Sequence, residues 1–178
     1  MPILLHTGDK RFGYSTPSRL ANAAKRFTKQ KFIAAHFGGY SEWDDSIKYL
    51  SELENVYVDT CSSLAFITPQ EAKTYIDAFT EDRVFFATDY PMWNPSDEIE
   101  RINRIDLTET AREKIFYKNI CKFLRILPLS SYKSILTCLI PFESLAAISF
   151  ISSNKAGFSI SLPDWGWIFT ISRWLKSI

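Results

Sequence analysis

Residues 32–39 read Phe32-Ile33-Ala34-Ala35-His36-Phe37-Gly38-Gly39, an apolar β-like run that ends in histidine and opens into glycines. The pattern recurs at Ile3-Leu4-Leu5-His6-Thr7-Gly8, and these are the only two histidines of the 178 residues. A third run, Val84-Phe85-Phe86-Ala87-Thr88-Asp89-Tyr90-Pro91, ends in an acid instead. Parallel strands present their C-terminal residues side by side along one rim, where α/β folds carry their chemistry. Two imidazoles and a carboxylate on one rim have the donor types of a divalent-metal set.

Working outward, the spacing predicts strands over 2–6, 31–36, 55–60 and 83–88. Each is short and poor in charge, as strands buried on both faces are. Helical patterns fill 17–28, 42–53, 69–79, 96–104 and 108–125. Thr16-Pro17 and Thr68-Pro69 each set a capping hydroxyl before a proline at the first helical position. Thr108-Glu109-Thr110-Ala111-Arg112-Glu113 puts acids early in the last helix, where the helix dipole favours them. The strand ends His6, His36, Asp59 and Asp89 lie 30, 23 and 30 residues apart, the length of a βαβ repeat. Such alternation calls for a parallel sheet with helices outside it. Four units suit one half of an eight-stranded (β/α)8 barrel, whose closed form needs roughly 250 residues.

Hydrophobic content of 46% and a net charge of +1 describe an ordinary globular protein. A nucleic-acid partner would show as a basic stripe, and none is present. Cys61, Cys121 and Cys138 are odd in number and lack metal-ligand spacing, so a reduced, cytoplasmic setting is expected. Only five residues precede His6, too few for the charged and apolar regions of a signal peptide.

Taken singly, His6 and His36 read equally well as structural strand-end histidines. Together with Asp89 they form a candidate metal set. Asp89 can serve as a base toward water, or can simply pair with a backbone amide at its turn. Asp59, in Val58-Asp59-Thr60-Cys61-Ser62-Ser63, reads as structural or substrate-orienting rather than as a ligand. Nothing in the sequence places a base beside Cys61, so it is not read as a nucleophile. Tyr14, Tyr40, Trp43, Tyr90, Met92 and Trp93 fall in or after the rim loops. They suit either a partly apolar pocket or a cover over the seam between helices and sheet. Tyr14 and Trp93 are the candidates to touch a small-molecule substrate.

Leu5-His6-Thr7-Gly8-Asp9, Ala35-His36-Phe37-Gly38-Gly39-Tyr40, Asp59-Thr60-Cys61-Ser62-Ser63 and Ala87-Thr88-Asp89-Tyr90-Pro91-Met92-Trp93 resemble amidohydrolase-related TIM-barrel proteins. That group includes the aminocarboxymuconate-semialdehyde decarboxylase-like hydrolases and decarboxylases. The match runs in order from residue 2 to about residue 126, where Asn119-Ile120-Cys121-Lys122-Phe123-Leu124 looks like the closing helix. The resemblance implies the C-terminal half of the barrel, strands five to eight. It implies His6 as a metal ligand after strand five and Asp89 as one after strand eight. His36, after strand six, becomes either a ligand or the acid/base group. Zinc, or alternatively manganese, is the implied cofactor, and a small organic acid, amide or ester the implied substrate. The family's first strand carries a His-x-His pair, and this sequence contains none. The alternative is therefore a non-catalytic half-barrel fragment that needs a missing N-terminal half or self-association into a homo-oligomer.

Charge falls away near residue 126: residues 126–178 hold only six of the 41 Asp, Glu, Lys and Arg residues. Residues 127–178 are expected to form an unassigned, hydrophobic, Ser-rich tail, disordered or read from a shifted frame. Ser134 to Ser153 approaches the roughly 20 residues of a membrane helix, but Glu143 and Pro141 within it argue against a span.

Overall fold

Proline-led starts at Pro17, Pro69 and Pro95 set three of the helices, and short apolar runs between the helices pair into a sheet. The computed structural model describes residues 1–126, 158–160 and 169–171. The chain divides into two compact units, Met1–Pro128 and Leu129–Ile178. In the first, β1 (Ile3–Leu5), β2 (Phe32–Ala34), β3 (Val56–Asp59) and β4 (Val84–Phe85) form one sheet in the order β1-β2-β3-β4. All neighbours run parallel, with Ile3 opposite Phe32, Phe32 opposite Val56 and Val58 opposite Val84. The order never reverses, which separates this sheet from doubly wound folds and matches an arc of a barrel.

Helices α1 (Pro17–Arg26), α2 (Trp43–Leu50), α3 (Pro69–Phe79) and α4 (Pro95–Asn103) follow the four strands in turn. Alternate strand residues face them. Phe32, Ala34, Val56, Val58 and Val84 join Leu20, Ala24, Leu50, Ile76, Phe79 and Ile102 in one core. By the two-residue period of a strand, Ile33, Tyr57 and Phe85 face the other way. There Tyr57 stacks on Phe85 at 5.5 Å, and Phe123 meets both rings edge-on at 4.5 and 5.2 Å.

The last helical pattern is one continuous element in the sequence reading and three in the structure: α5 (Glu109–Glu113), a π-helical turn (Lys114–Lys118) and α6 (Asn119–Leu124). Buried Asn119 anchors it, its amide donating to the carbonyls of Glu81 (2.6 Å) and Val84 (2.9 Å). The expectation of strands buried on both faces fails for β1, where Ile3, Leu4 and Leu5 are 40%, 64% and 37% exposed. The cause is topological, since among the described residues β1 is an edge strand with β2 as its one neighbour.

α3 begins where it was read, and its cap is reciprocal. Thr68 Oγ1 accepts from the Glu71 amide while the Glu71 carboxylate accepts from the Thr68 amide at 2.7 Å. Thr68→Ala is expected to cost about 1 kcal/mol of stability, measurable as a lowered urea midpoint. α4 starts at an Asn94-Pro95 cap that the sequence reading passed over.

In the second unit, Phe158–Ile160 and Phe169–Ile171 pair antiparallel, Phe158 opposite Ile171. The Ser134–Ser153 stretch lies outside the described residues. Among the described residues, no helix is long and apolar enough to cross a membrane.

Candidate metal centre

Beyond the strands, pairing continues into the rim loops. The Thr7 carbonyl accepts from the Tyr40 amide at 2.8 Å, and the Tyr40 carbonyl accepts from the Asp9 amide at 2.7 Å, making a parallel bridge between Gly8 and Tyr40. Gly8 holds φ +94° there, a conformation open to glycine without penalty. This extension locks together the two loops that carry the histidines.

Three neighbouring strand ends then leave through left-handed backbone at non-glycine residues: His36 (φ 65°), Ser62 (φ 48°) and Asp89 (φ 58°). Such residues cost on the order of 1–3 kcal/mol each and cluster where a site needs a side chain re-aimed. Hydrogen bonds hold the first of them. Asp59 Oδ1 accepts from the His36 amide (3.0 Å) and the Cys61 amide (3.2 Å), and the Trp43 indole N–H donates to the His36 carbonyl (3.0 Å).

His6 and His36 are brought together. His6 Nδ1 lies 2.9 Å from His36 Nε2, with the rings edge-on at 4.8 Å. His6 is exposed and His36 buried. Two imidazole nitrogens on one tetrahedral zinc, each about 2.0–2.1 Å from it, sit about 3.3 Å apart, within about 0.4 Å of the spacing of this pair. The pair therefore fits as two ligands of a divalent cation. The other ring nitrogen of His36 meets the Cys61 carbonyl at 3.0 Å, the kind of second partner that orients a ligating imidazole.

Asp89 is placed differently. Its Oδ2 accepts from Ser62 Oγ at 2.7 Å, and Ser62 Oγ in turn accepts from the Trp93 indole N–H at 3.0 Å. Among the described residues no three His, Cys, Asp or Glu side chains close into one cation-sized group. Trp93 thus holds the Asp89 arm, and its ring meets Phe66 edge-on at 5.6 Å. Phe66 also meets Tyr40, which meets His36, so aromatic contacts run from the histidine pair to Trp93. Tyr14 is 80% exposed and stacks on Phe12 at 5.9 Å. Ser62 and Phe66 escaped the sequence reading; the serine run after Asp59 was the one signal for the first.

Contrary to expectation, a base stands beside Cys61. Its Sγ lies 3.2 Å from His36 Nδ1 and donates to Asp59 Oδ1 at 2.8 Å, so a basic side chain does stand beside it. The two are 25 residues apart in sequence and adjacent only because β2 and β3 are parallel. Burial, and then the neighbouring Asp59 carboxylate, push the thiol well above its usual range. It stays protonated, and the conclusion that it is no nucleophile stands. Burial likewise raises Asp59, against the hydrogen bonds from Cys61 and His36.

On the outer side of the rim, Asp9 pairs with Arg11 at 2.7 Å, and that side-chain hydrogen bond is the main reason its carboxyl falls to about 2 from 3.8. A depressed carboxyl contributes stability above its unfolded value and loses it as pH falls through the folded one. The β1–α1 loop is therefore expected to lose this restraint between about pH 4 and pH 2. A carboxyl carbon titration should place the Asp9 midpoint near 2, and Arg11→Ala should return it toward 3.8.

A sequence model of the amidohydrolase family matches residues 1–126. Among curated proteins no sequence matches this chain. Solved structures similar to it include a TIM-barrel protein from Bordetella bronchiseptica (21% identity, TM-score 0.61, covering 70% of this chain and 46% of that one). Another is an amidohydrolase 2 from Bifidobacterium longum subsp. infantis (19%, 0.55, 71% and 50%). A third is a dihydroxybenzoic acid decarboxylase from a Polaromonas species, with bound manganese and the inhibitor 2-nitroresorcinol (21%, 0.50, 61% and 38%). At these identities the likeness concerns the fold, and the chain spans half or less of each structure's length.

Proposed function

The chain belongs to the amidohydrolase family, and on that premise we propose that it carries strands five to eight of a metal-dependent hydrolase or decarboxylase for small organic acids, amides or esters. The observation that carries this reading is the His6–His36 pair, 2.9 Å apart at the C-terminal rim of a parallel sheet. His6 and His36 would hold a divalent cation, zinc first and manganese next, and Asp89, which stands apart from the pair on the same rim, would serve as its carboxylate donor; the Polaromonas decarboxylase binds manganese. Such an ion, when bound, acts as a Lewis acid and activates water at neutral pH.

The chain's own residues do the rest. His36 presents Nε2 as a ligand or, off the metal, as the atom that takes and returns a proton. Asp89 accepts a proton from water on the same rim, held for it by Ser62 and Trp93. Tyr40, Phe66 and Trp93 form an aromatic wall that suits a flat, partly apolar substrate. Tyr14 and Trp93 contact that substrate at the loop edges.

The test is turnover of hydroxybenzoates and of activated aryl esters and amides, with zinc or manganese supplied. Turnover that disappears with chelator, and in both His6→Ala and Asp89→Ala, is the expected result. Full activity in both variants would refute the site.

A second reading is favoured by the open β1 edge and by exposed Leu4. In it, a further β/α half completes the ring, supplied by another polypeptide or by a second copy. Unpaired strand edges seek such partners. Light scattering of the full chain distinguishes the self-associated form, which a well-behaved monomer excludes.

A further inference from the structure

We propose that Asp59 and Cys61 are positioning residues that fix the tautomer of His36, so that its Nε2 carries the lone pair facing His6. The inference rests on the metal-site reading for its purpose but on separate observations for its content. A backbone carbonyl can only accept, and the Cys61 carbonyl lies 3.0 Å from His36 Nδ1. The Cys61 thiol cannot serve as donor to that nitrogen, because its S–H is directed at Asp59 Oδ1, 2.8 Å away. Both groups facing Nδ1 are thus acceptors, and Nδ1 must hold the hydrogen. In the neutral ring Nε2 is then bare.

The consequence passes outward. With His36 Nε2 accepting, the 2.9 Å contact requires His6 to donate from Nδ1 when no cation lies between them. His6 Nε2 is left with its own lone pair on an exposed side chain. One buried carboxylate therefore sets both imidazoles. Asp59 Oδ1 gathers three donors, the amides of His36 and Cys61 and the Cys61 thiol, at 3.0, 3.2 and 2.8 Å. It holds the end of β2 and the turn after β3 in one register, and that register puts the Cys61 carbonyl under the His36 ring.

Two histidines in the whole chain make the test direct. Long-range proton–nitrogen correlation on the full, metal-free, nitrogen-15-labelled chain at pH 8 reads the tautomer of each ring. The expected result is a single Nδ1–H pattern for His36 and the same for His6. Asp59→Ala, if folded, should lose that single pattern for a mixture of both tautomers at His36. Asp59→Asn, which keeps an acceptor oxygen, should retain it. Cys61→Ala keeps the carbonyl and should also retain it. An Nε2–H pattern at His36 in the unaltered chain overturns the proposal, and so does a folded Asp59→Ala with the pattern intact. Should Asp59→Ala fail to fold, a switched tautomer in Asp59→Asn or Cys61→Ala overturns it equally. None of these readings involves turnover or a bound metal, so their failure is distinct from failure of the proposed function.

Discussion

Gly8→Ala is expected to destabilise the first unit by about 3 kcal/mol, combining a left-handed alanine with an overpacked contact. The added Cβ would meet the Tyr40 nitrogen at 2.3 Å, the Gly39 carbonyl carbon at 2.5 Å and the Tyr40 oxygen at 2.7 Å. All three are backbone atoms, so no rotamer change relieves the overlap. Relief comes only by opening the Gly8–Tyr40 bridge, which separates the loops bearing His6 and His36. Metal affinity should therefore fall together with the urea midpoint. Gly13→Ala is the control: it has no atom within 4 Å of the new Cβ and no positive φ, and it should change stability by no more than about 0.5 kcal/mol.

His36→Ala is expected to lower zinc or manganese affinity by at least about 100-fold, the upper range for loss of a mere outer-shell partner. His36 supplies an imidazole nitrogen, the contact that aims His6, and the ring that Tyr40 packs against. His6→Ala should match it in affinity but not in stability, since His6 is exposed and His36 buried. Calorimetric titration of the two variants beside the unaltered chain reads the affinities. A His36→Ala protein that still binds zinc within a factor of about three would place the metal elsewhere, since even an outer-shell partner is worth 10-fold or more.

Much of this arrangement is legible in the sequence. Thr68-Pro69 and Thr16-Pro17 mark helix starts through chemistry that is local, a hydroxyl cap and a preset φ, and both hold as read. The rim position of His6, His36, Asp59 and Asp89 follows from strand ends at βαβ spacing, which the parallel register bears out. What could not be read depends on neighbours distant in sequence. Among the described residues β1 is an edge with no second strand beside it, which exposes residues whose apolar types alone describe a buried strand. The Cys61–His36 contact and the chain from Trp93 through Ser62 to Asp89 join loops 25 to 31 residues apart. Their side-chain directions are set by positive φ at His36, Ser62 and Asp89; His and Asp adopt it more often than other residue types, but the bias is too weak to place it from sequence. The π turn at Lys114–Lys118 interrupts a helix whose sequence pattern runs on unbroken.

Shared binding of one cation by His6 and His36 can be read at the metal itself. X-ray absorption at the zinc edge, on the full chain loaded with one equivalent of zinc, tests it most directly. The prediction is a first shell holding two imidazole nitrogens at about 2.0–2.1 Å, reduced to one in His6→Ala. A shell of oxygen donors alone, or a spectrum that His6→Ala leaves unchanged, would contradict it.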